Sequence, residues 1–247
     1  MYINKLVSIV LIGLGVAGVV EAAPDDVRVD FHCLAWDKTL REAPVGYISK
    51  EKLIGIPLLS DHSQTSRRFT YEGPPRIDFY NTKEFRRNPL VKPIGSYQVP
   101  VGADKLLLVL IPRGDGKISI VGMDNDWRKF PENTFRMMNM TDKKLGVLID
   151  SQRILLSPNA MKGGTLKSSD SLNFEVKIAA QAEDNSARIM YSNRWNRGAN
   201  RRFLCFISEI DGVKKKKLRV KVVSDSPERE ISDESLYSDD FGPEAFN

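Results

Sequence analysis

Apolar and polar residues alternate with a period of two along much of the chain, the pattern of strands with one buried face. In Val27-Arg28-Val29-Asp30-Phe31-His32-Cys33 the odd positions are apolar and the even ones polar. Arg76-Ile77-Asp78-Phe79-Tyr80 and Lys117-Ile118-Ser119-Ile120 alternate in the same way. Residues 105–111 form instead a continuous apolar run of strand length, closed by the turn cluster Pro112-Arg113-Gly114-Asp115-Gly116. The same reading predicts strands at 135–140, 145–149, 153–156, 174–179, 187–191, 202–207 and 217–223. Few stretches hold a helical period, so short helices are expected only near 49–53 and in the C-terminal tail. Many short strands separated by turn clusters define an all-β sandwich or barrel.

The pattern also repeats. Residues 96–116 lie on residues 192–212 at an offset of 96 without gaps, with seven identities in 21 positions. The match takes Gly102-Ala103 onto Gly198-Ala199, Leu108 onto Leu204, Ile111 onto Ile207 and Asp115-Gly116 onto Asp211-Gly212. Upstream, 27–36 corresponds loosely to 134–141, and Ile56-Pro57-Leu58-Leu59 to 152–156. The turn-rich segment 124–133 falls at the junction. The expectation is two tandem immunoglobulin-like β-sandwich units, 24–126 and 127–223, related by internal duplication. The competing reading is one larger sandwich whose hairpins resemble each other, and repeats can also swap strands.

The ends differ from the body. Lys5 precedes an uncharged run at 6–20, and Val20-Glu21-Ala22 supplies small residues for cleavage after Ala22 or Ala23. Residues 1–23 therefore read as a secretory signal. A membrane anchor is the alternative, but the run falls short of the roughly 20 residues a spanning helix needs. The expected destination is the periplasm or the cell exterior, with no stable membrane span after cleavage. Export permits disulfides. Cys33 and Cys205 are the only cysteines and sit in apolar runs of different halves, which favours two buried free thiols over a bridge.

Charge separates the body from the tail. The whole chain carries +5, residues 224–247 carry −7 and the signal segment is neutral, which leaves +12 on residues 24–223. A body of that charge attracts anions. Residues 217–223 predict a strand with Lys217, Arg219 and Lys221 on one face, about 6–7 Å apart. Such a strip either protects a sheet edge or binds phosphate, uronate or an acidic protein. A second basic and aromatic cluster holds Arg188, Tyr191, Arg194, Trp195, Arg197, Arg201 and Arg202. There Trp195 either faces a sugar or peptide from the 192–198 loop or covers the end of the core. The acidic tail 224–247, poor in aliphatic residues, reads as disordered by itself. Its Tyr237, Phe241 and Phe246 are spaced as anchors that would shield the basic strip or dock on a partner.

Recognised catalytic signatures are missing. There is no Gly-x-Ser-x-Gly, phosphate-binding loop, His-Glu-x-x-His or Cys-x-x-Cys. Two histidines and two cysteines argue against a multi-ligand zinc or iron–sulfur centre, so no metal or cofactor is expected. His32 is expected on the outward phase of an edge strand and His62 in a polar loop. Asp124-Asn125-Asp126 opens like a calcium loop but lacks the later glycine and glutamate, so a turn is expected. Asn139-Met140-Thr141 matches the glycosylation sequon only formally. No nucleic-acid motif is present, and export would separate the chain from most DNA and RNA.

The combination of Tyr71-Glu72-Gly73-Pro74-Pro75, residues 105–110, Met123-Asp124-Asn125-Asp126, Phe130-Pro131 and Tyr191-Ser192-Asn193-Arg194-Trp195 resembles a group of exported bacterial β-proteins without assigned function. That resemblance covers most of the mature chain and implies export and a β fold, but no activity. Periplasmic pilus chaperones are similar only in architecture. Their paired basic anchor and proline-rich signature have no counterpart here. These readings together lead to an expected non-enzymatic envelope protein that binds or scaffolds a protein partner. The alternative is a module for an anionic glycan or wall polymer, using Lys217, Arg219 and Lys221 with Arg194, Trp195 and Arg197.

Overall fold

A computed structural model describes residues 26–40, 43–58, 65–167, 171–181, 187–210 and 217–226. The expected signal segment, His62, the Asp211-Gly212 turn, Lys214 to Lys216 and the tail beyond Ser226 lie outside the described residues. In the first half the strands are β1 (Val27–Ala35), β2 (Val45–Ser49), β3 (Lys52–Gly55), β4 (Phe69–Gly73), β5 (Arg76–Asn81), β6 (Gly95–Gln98), β7 (Lys105–Pro112) and β8 (Ile118–Asp124). A short helix, α1 (Thr82–Arg87), joins β5 to β6. The second half has β9 (Thr134–Asn139), β10 (Leu145–Ile149), β11 (Gln152–Leu156), β12 (Met161–Thr165), β13 (Asn173–Gln181), β14 (Ala187–Asn196), β15 (Arg202–Glu209) and β16 (Leu218–Asp225).

The strands form four four-stranded sheets in two sandwiches. The first has the orders β3-β2-β5-β6 and β4-β1-β7-β8, the second β11-β10-β13-β14 and β12-β9-β15-β16. Position for position the two orders are the same. Both also contain the same parallel pair, β1 with β7 and β9 with β15, among otherwise antiparallel neighbours. Phe31, Ile77, Phe79 and Leu108 lie in the first core. Phe135, Val147, Ile178 and Cys205 lie in the second.

A third cluster joins the two sandwiches. Leu34, Trp36, Leu107, Val109 and Met123 of the first pack with Leu204, Phe206 and Val223 of the second. Sheets β4-β1-β7-β8 and β12-β9-β15-β16 are thus inner layers, buried on both faces along β7 and β15. This explains the continuous apolar runs. In β7, Leu106, Leu108 and Leu110 enter the first core while Leu107 and Val109 enter the seam. A strand buried on both sides has no polar phase to show.

The structure corrects several expectations. Residues 49–53 form a hairpin rather than a helix. Ser49 pairs with Lys52 across a two-residue turn whose Lys50 and Glu51 have φ of 47° and 64°. The β10–β11 turn repeats this geometry at Asp150 and Ser151, with φ of 47° and 75°. Positive φ at both positions is what a tight hairpin demands, but neither turn carries the glycine that would announce it. The 96-residue offset holds for the turn glycines, Gly102 (φ 72°) and Gly198 (φ 57°), and slips by one in the strand beyond. Trp36 N–H donates to the Leu110 carbonyl and Met140 N–H to that of Ile207, both at 2.8 Å. Leu110 is therefore the counterpart of Ile207, and Leu108 that of Cys205. A slip of one residue exchanges core and seam faces, so the gapless match set Leu108, a core residue, on Leu204, a seam residue. The tail boundary also moves, because Ser224 and Asp225 belong to β16. Cys33 and Cys205 are free and buried, one in each core.

Candidate functional site

Two cations from the second sandwich are buried in the seam, and a third, the half-buried Arg136 of β9, donates to the carbonyls of Asp124 and Lys129. Arg202 begins β15 and is 1% exposed. Its Nη1 donates to the carbonyls of Asn125 (3.1 Å) and Phe130 (3.0 Å), and its Nη2 to Asn125 Oδ1 (3.0 Å) and Asp225 Oδ2 (2.8 Å). The guanidinium plane lies 3.6 Å from the Trp127 ring centroid. Asp124 ends β8, and Asn125 and Asp126 lead into the turn at 127–129, so this corner, and no calcium loop, receives Arg202. Asp126 itself accepts from Arg128 Nη2 at 2.7 Å, and these hydrogen bonds lower its pKa to about 2.

Lys221 is the second inserted cation. It projects from β16 into the seam, where Nζ donates to the carbonyls of Ala35 (2.5 Å) and Trp36 (2.9 Å) and sits 5.3 Å from the Trp36 ring centroid. The expected strip is therefore not one open surface. Leu218, Val220 and Val222 do face the second core, as alternation requires. The opposite face of β16, however, is covered by the first sandwich. Lys217 and Arg219 remain exposed at the start of the strand, while Lys221 is buried.

The Arg194, Trp195, Arg197 group is likewise divided. Strand β14 continues to Asn196, so Trp195 lies on a strand rather than a loop. It packs on Phe174 and Phe203 in the second core and donates Nε1–H to Tyr191 Oη at 3.0 Å. Arg197 caps that core, ion-paired with Asp150 at 3.2 Å and over Phe174 at 5.3 Å. Arg194 is exposed. His32 lies on β1, which is central between β4 and β7 rather than at an edge, and its Nδ1 is 2.9 Å from the Ser66 carbonyl oxygen. Asn139 is fully buried, with Nδ2 donating to the carbonyls of Lys143 and Ser157 at 2.6 and 3.0 Å, so its sequon is a structural turn.

Where the two inner sheets diverge, at the C-terminal ends of β1, β7, β9 and β15, the seam opens into a cleft of about 710 Å³. Its floor is Trp36, Ile111, Val121, Met138 and Met140, and its rim carries Asp37, Asp142, Glu209 and Arg219. The floor continues the apolar seam cluster. Methionine side chains adapt to irregular apolar partners. On the rim, Glu209 is ion-paired with Lys143 at 2.6 Å, and Asp37 accepts from the Thr39 amide and hydroxyl. The volume is that of a ligand-sized site, and the position between two packed units is a common one for binding. Of the six residues singled out from sequence, only Arg219 borders it. Met138 and Met140 of its floor gave no signal, because they read in sequence as ordinary strand residues.

A larger groove of about 1020 Å³ at the opposite end of the first sandwich is a weaker candidate. Most of its charges are matched internally. Glu72 pairs with both Arg28 (3.3 Å) and Lys50, whose hydrogen bond holds the carboxyl below its ordinary pKa, and Arg76 pairs with Asp78 at 2.9 Å. Tyr71 Oη lies 2.8 Å from both the Pro74 and Arg76 carbonyl oxygens and braces the turn. Among the described residues no three His, Cys, Asp or Glu side chains are grouped to hold a metal ion, and no helix is long and apolar enough to cross a membrane. No family model and no curated protein sequence matches the chain.

Proposed function

We propose that this chain is an exported, non-enzymatic envelope protein that binds or scaffolds a protein partner through the cleft between its two sandwiches. The carrying observation is the cleft itself: an apolar floor with two methionines and a tryptophan, framed by charge and held between stacked sheets. Such a floor suits an apolar side chain of a partner, and the charged rim supplies orientation. The non-enzymatic part rests on the employment of the unusual polar groups in structure. Arg202, Lys221, Asp126, His32 and Asn139 each serve a backbone or an ion pair. The export part rests on the charged start, apolar run and cleavage pattern of residues 1–23. The identical strand orders support a duplicated, immunoglobulin-like pair of units.

The test is a photo-cross-linking amino acid placed in the expressing cell at Ser119, which is exposed and borders the cleft, and at Lys162, which is exposed on β12. The expected result is one discrete adduct from Ser119 that is lost on Met140→Glu, with none from Lys162. Equal labelling from both positions would sink the cleft. Sequencing of the mature N-terminus should begin after Ala22 or Ala23. A turnover activity abolished by a single substitution would overturn the non-enzymatic reading.

A further inference from the structure

We infer that helix α1 and the loop after it form a docking surface for an anionic lipid bilayer. The inference rests on surface features separate from the cleft. The segment Thr82-Lys83-Glu84-Phe85-Arg86-Arg87-Asn88-Pro89-Leu90-Val91-Lys92 carries four cations and one acid. Lys83, Arg86 and Arg87 stand at helical spacings of three and four, so their side chains share one face. That arrangement of like charges opposes helix formation. Among the described residues none of Lys83, Arg86, Arg87 and Lys92 forms an ion pair, and all four are exposed. At the same end Ile118 N–H donates to the Ile94 carbonyl at 2.9 Å, which brings exposed Lys117 beside the segment.

The segment is firmly built. Asn81 caps α1, its Oδ1 accepting from the amides of Lys83 (3.0 Å) and Glu84 (3.3 Å). Asn88 closes it, its N–H donating to the Glu84 carbonyl at 2.9 Å and its Oδ1 accepting from Leu90 N–H at 3.0 Å. Phe85 is anchored edge-on against Tyr80 at 5.0 Å. This framework holds Leu90 out with 91% of its surface exposed. An exposed apolar tip flanked in sequence by exposed cations is a poor design for water and a good one for the headgroup boundary. There the leucine inserts and the cations meet phosphate. A soluble anionic polymer would use the cations but gain nothing from Leu90, so the bilayer is the occupant the surface favours.

The experiment is sedimentation with vesicles of 30% phosphatidylglycerol in phosphatidylcholine, using protein that begins at Ala23. Residues 6–20 would bind lipid by themselves, and every core residue lies after Pro24. Binding to these vesicles and not to pure phosphatidylcholine is expected. At about fivefold per cation, Arg86→Ala with Arg87→Ala should weaken it on the order of 20-fold, and the uncharged Leu90→Ser should weaken it at unchanged salt dependence. Arg153→Glu, an equal charge change at a remote exposed position of β11, should have little effect. Failure to bind anionic vesicles overturns the proposal. So does equal weakening by Arg153→Glu and Arg86→Glu, which would mark net charge alone. Binding to dextran sulfate with lipid binding indifferent to Leu90→Ser would assign the surface to a polymer instead. Circular dichroism of each variant separates lost binding from lost fold.

Discussion

The two inner sheets occupy equivalent places in equivalent sandwiches, yet they present different faces to the seam. On the first sandwich the face is apolar along Leu34, Trp36, Leu107, Val109, Val121 and Met123. On the second, the register through Leu110 and Ile207 sets Lys221 where the first has Val121, and Arg202 where it has the partly exposed Lys105. The first face is an apolar plate, and the second is a similar plate with two buried cations, and the half-buried Arg136 beside them, that reach across to backbone carbonyls. Apolar stacking is non-directional and would tolerate several rotations of one sheet on the other. A guanidinium and an ammonium that each require particular carbonyls do not. Two similar units are thereby fixed in one relative orientation, with the cleft kept open at their edge.

The strongest way to break that comparison is Arg202→Ala. It leaves Asp225 and the Asn125 and Phe130 carbonyls without their donor inside the seam, and should cost about 3–5 kcal/mol in urea denaturation. Next come matched truncations. Phe206→Ala in the seam and Phe31→Ala in the first core should each cost roughly 3–5 kcal/mol. Only the seam variant should split unfolding into two transitions, read by tryptophan fluorescence against circular dichroism. Lys221→Met keeps the stem and removes the donor. It should cost about 1–3 kcal/mol, the penalty for carbonyls left unsatisfied, and so less than Arg202→Ala.

The smallest effect is one of pH. The Asp126 pKa is lowered from 3.8 to about 2 by its hydrogen bonds from Arg128. A depressed carboxyl stabilises the fold above its unfolded pKa, and that contribution is lost as pH falls through 4 toward 2. Asp126→Asn should flatten the stability profile in that window and leave its shape above pH 5 unchanged.

Much of the fold was legible because alternation is a direct trace of burial. Residues 27–33, 76–80 and 117–120 carried that trace and fall in β1, in β5 and at the start of β8. Strands β2, β4, β6 and β12 escaped notice for identifiable reasons. Val45-Gly46-Tyr47-Ile48-Ser49 is buried nearly throughout, so it shows no period. Met161-Lys162-Gly163-Gly164-Thr165 is largely exposed, so it shows no apolar face. The candidate site was legible only at Arg219. Alternation put Arg219 and Lys221 on one face of β16, which Lys217 precedes, but it could not show that a second sheet covers that face at Lys221. In the same way Trp195 has the composition of a binding residue and the position of a core residue. A cleft made where two sheets part has no local signature, because its floor is drawn from the ends of strands far apart in sequence.

The central claim is that two sandwiches fold and hold as one body across the seam. The chain contains its own reporters, since Cys33 lies in the first core and Cys205 in the second, and burial raises both thiol pKa values and keeps them unreactive. Pulsed thiol labelling along a urea series, with mass spectrometry to assign each cysteine, reads the opening of each core separately. Stacking as one body predicts that both cysteines become reactive in the same transition. Full labelling of one at a urea concentration that leaves the other protected would contradict it.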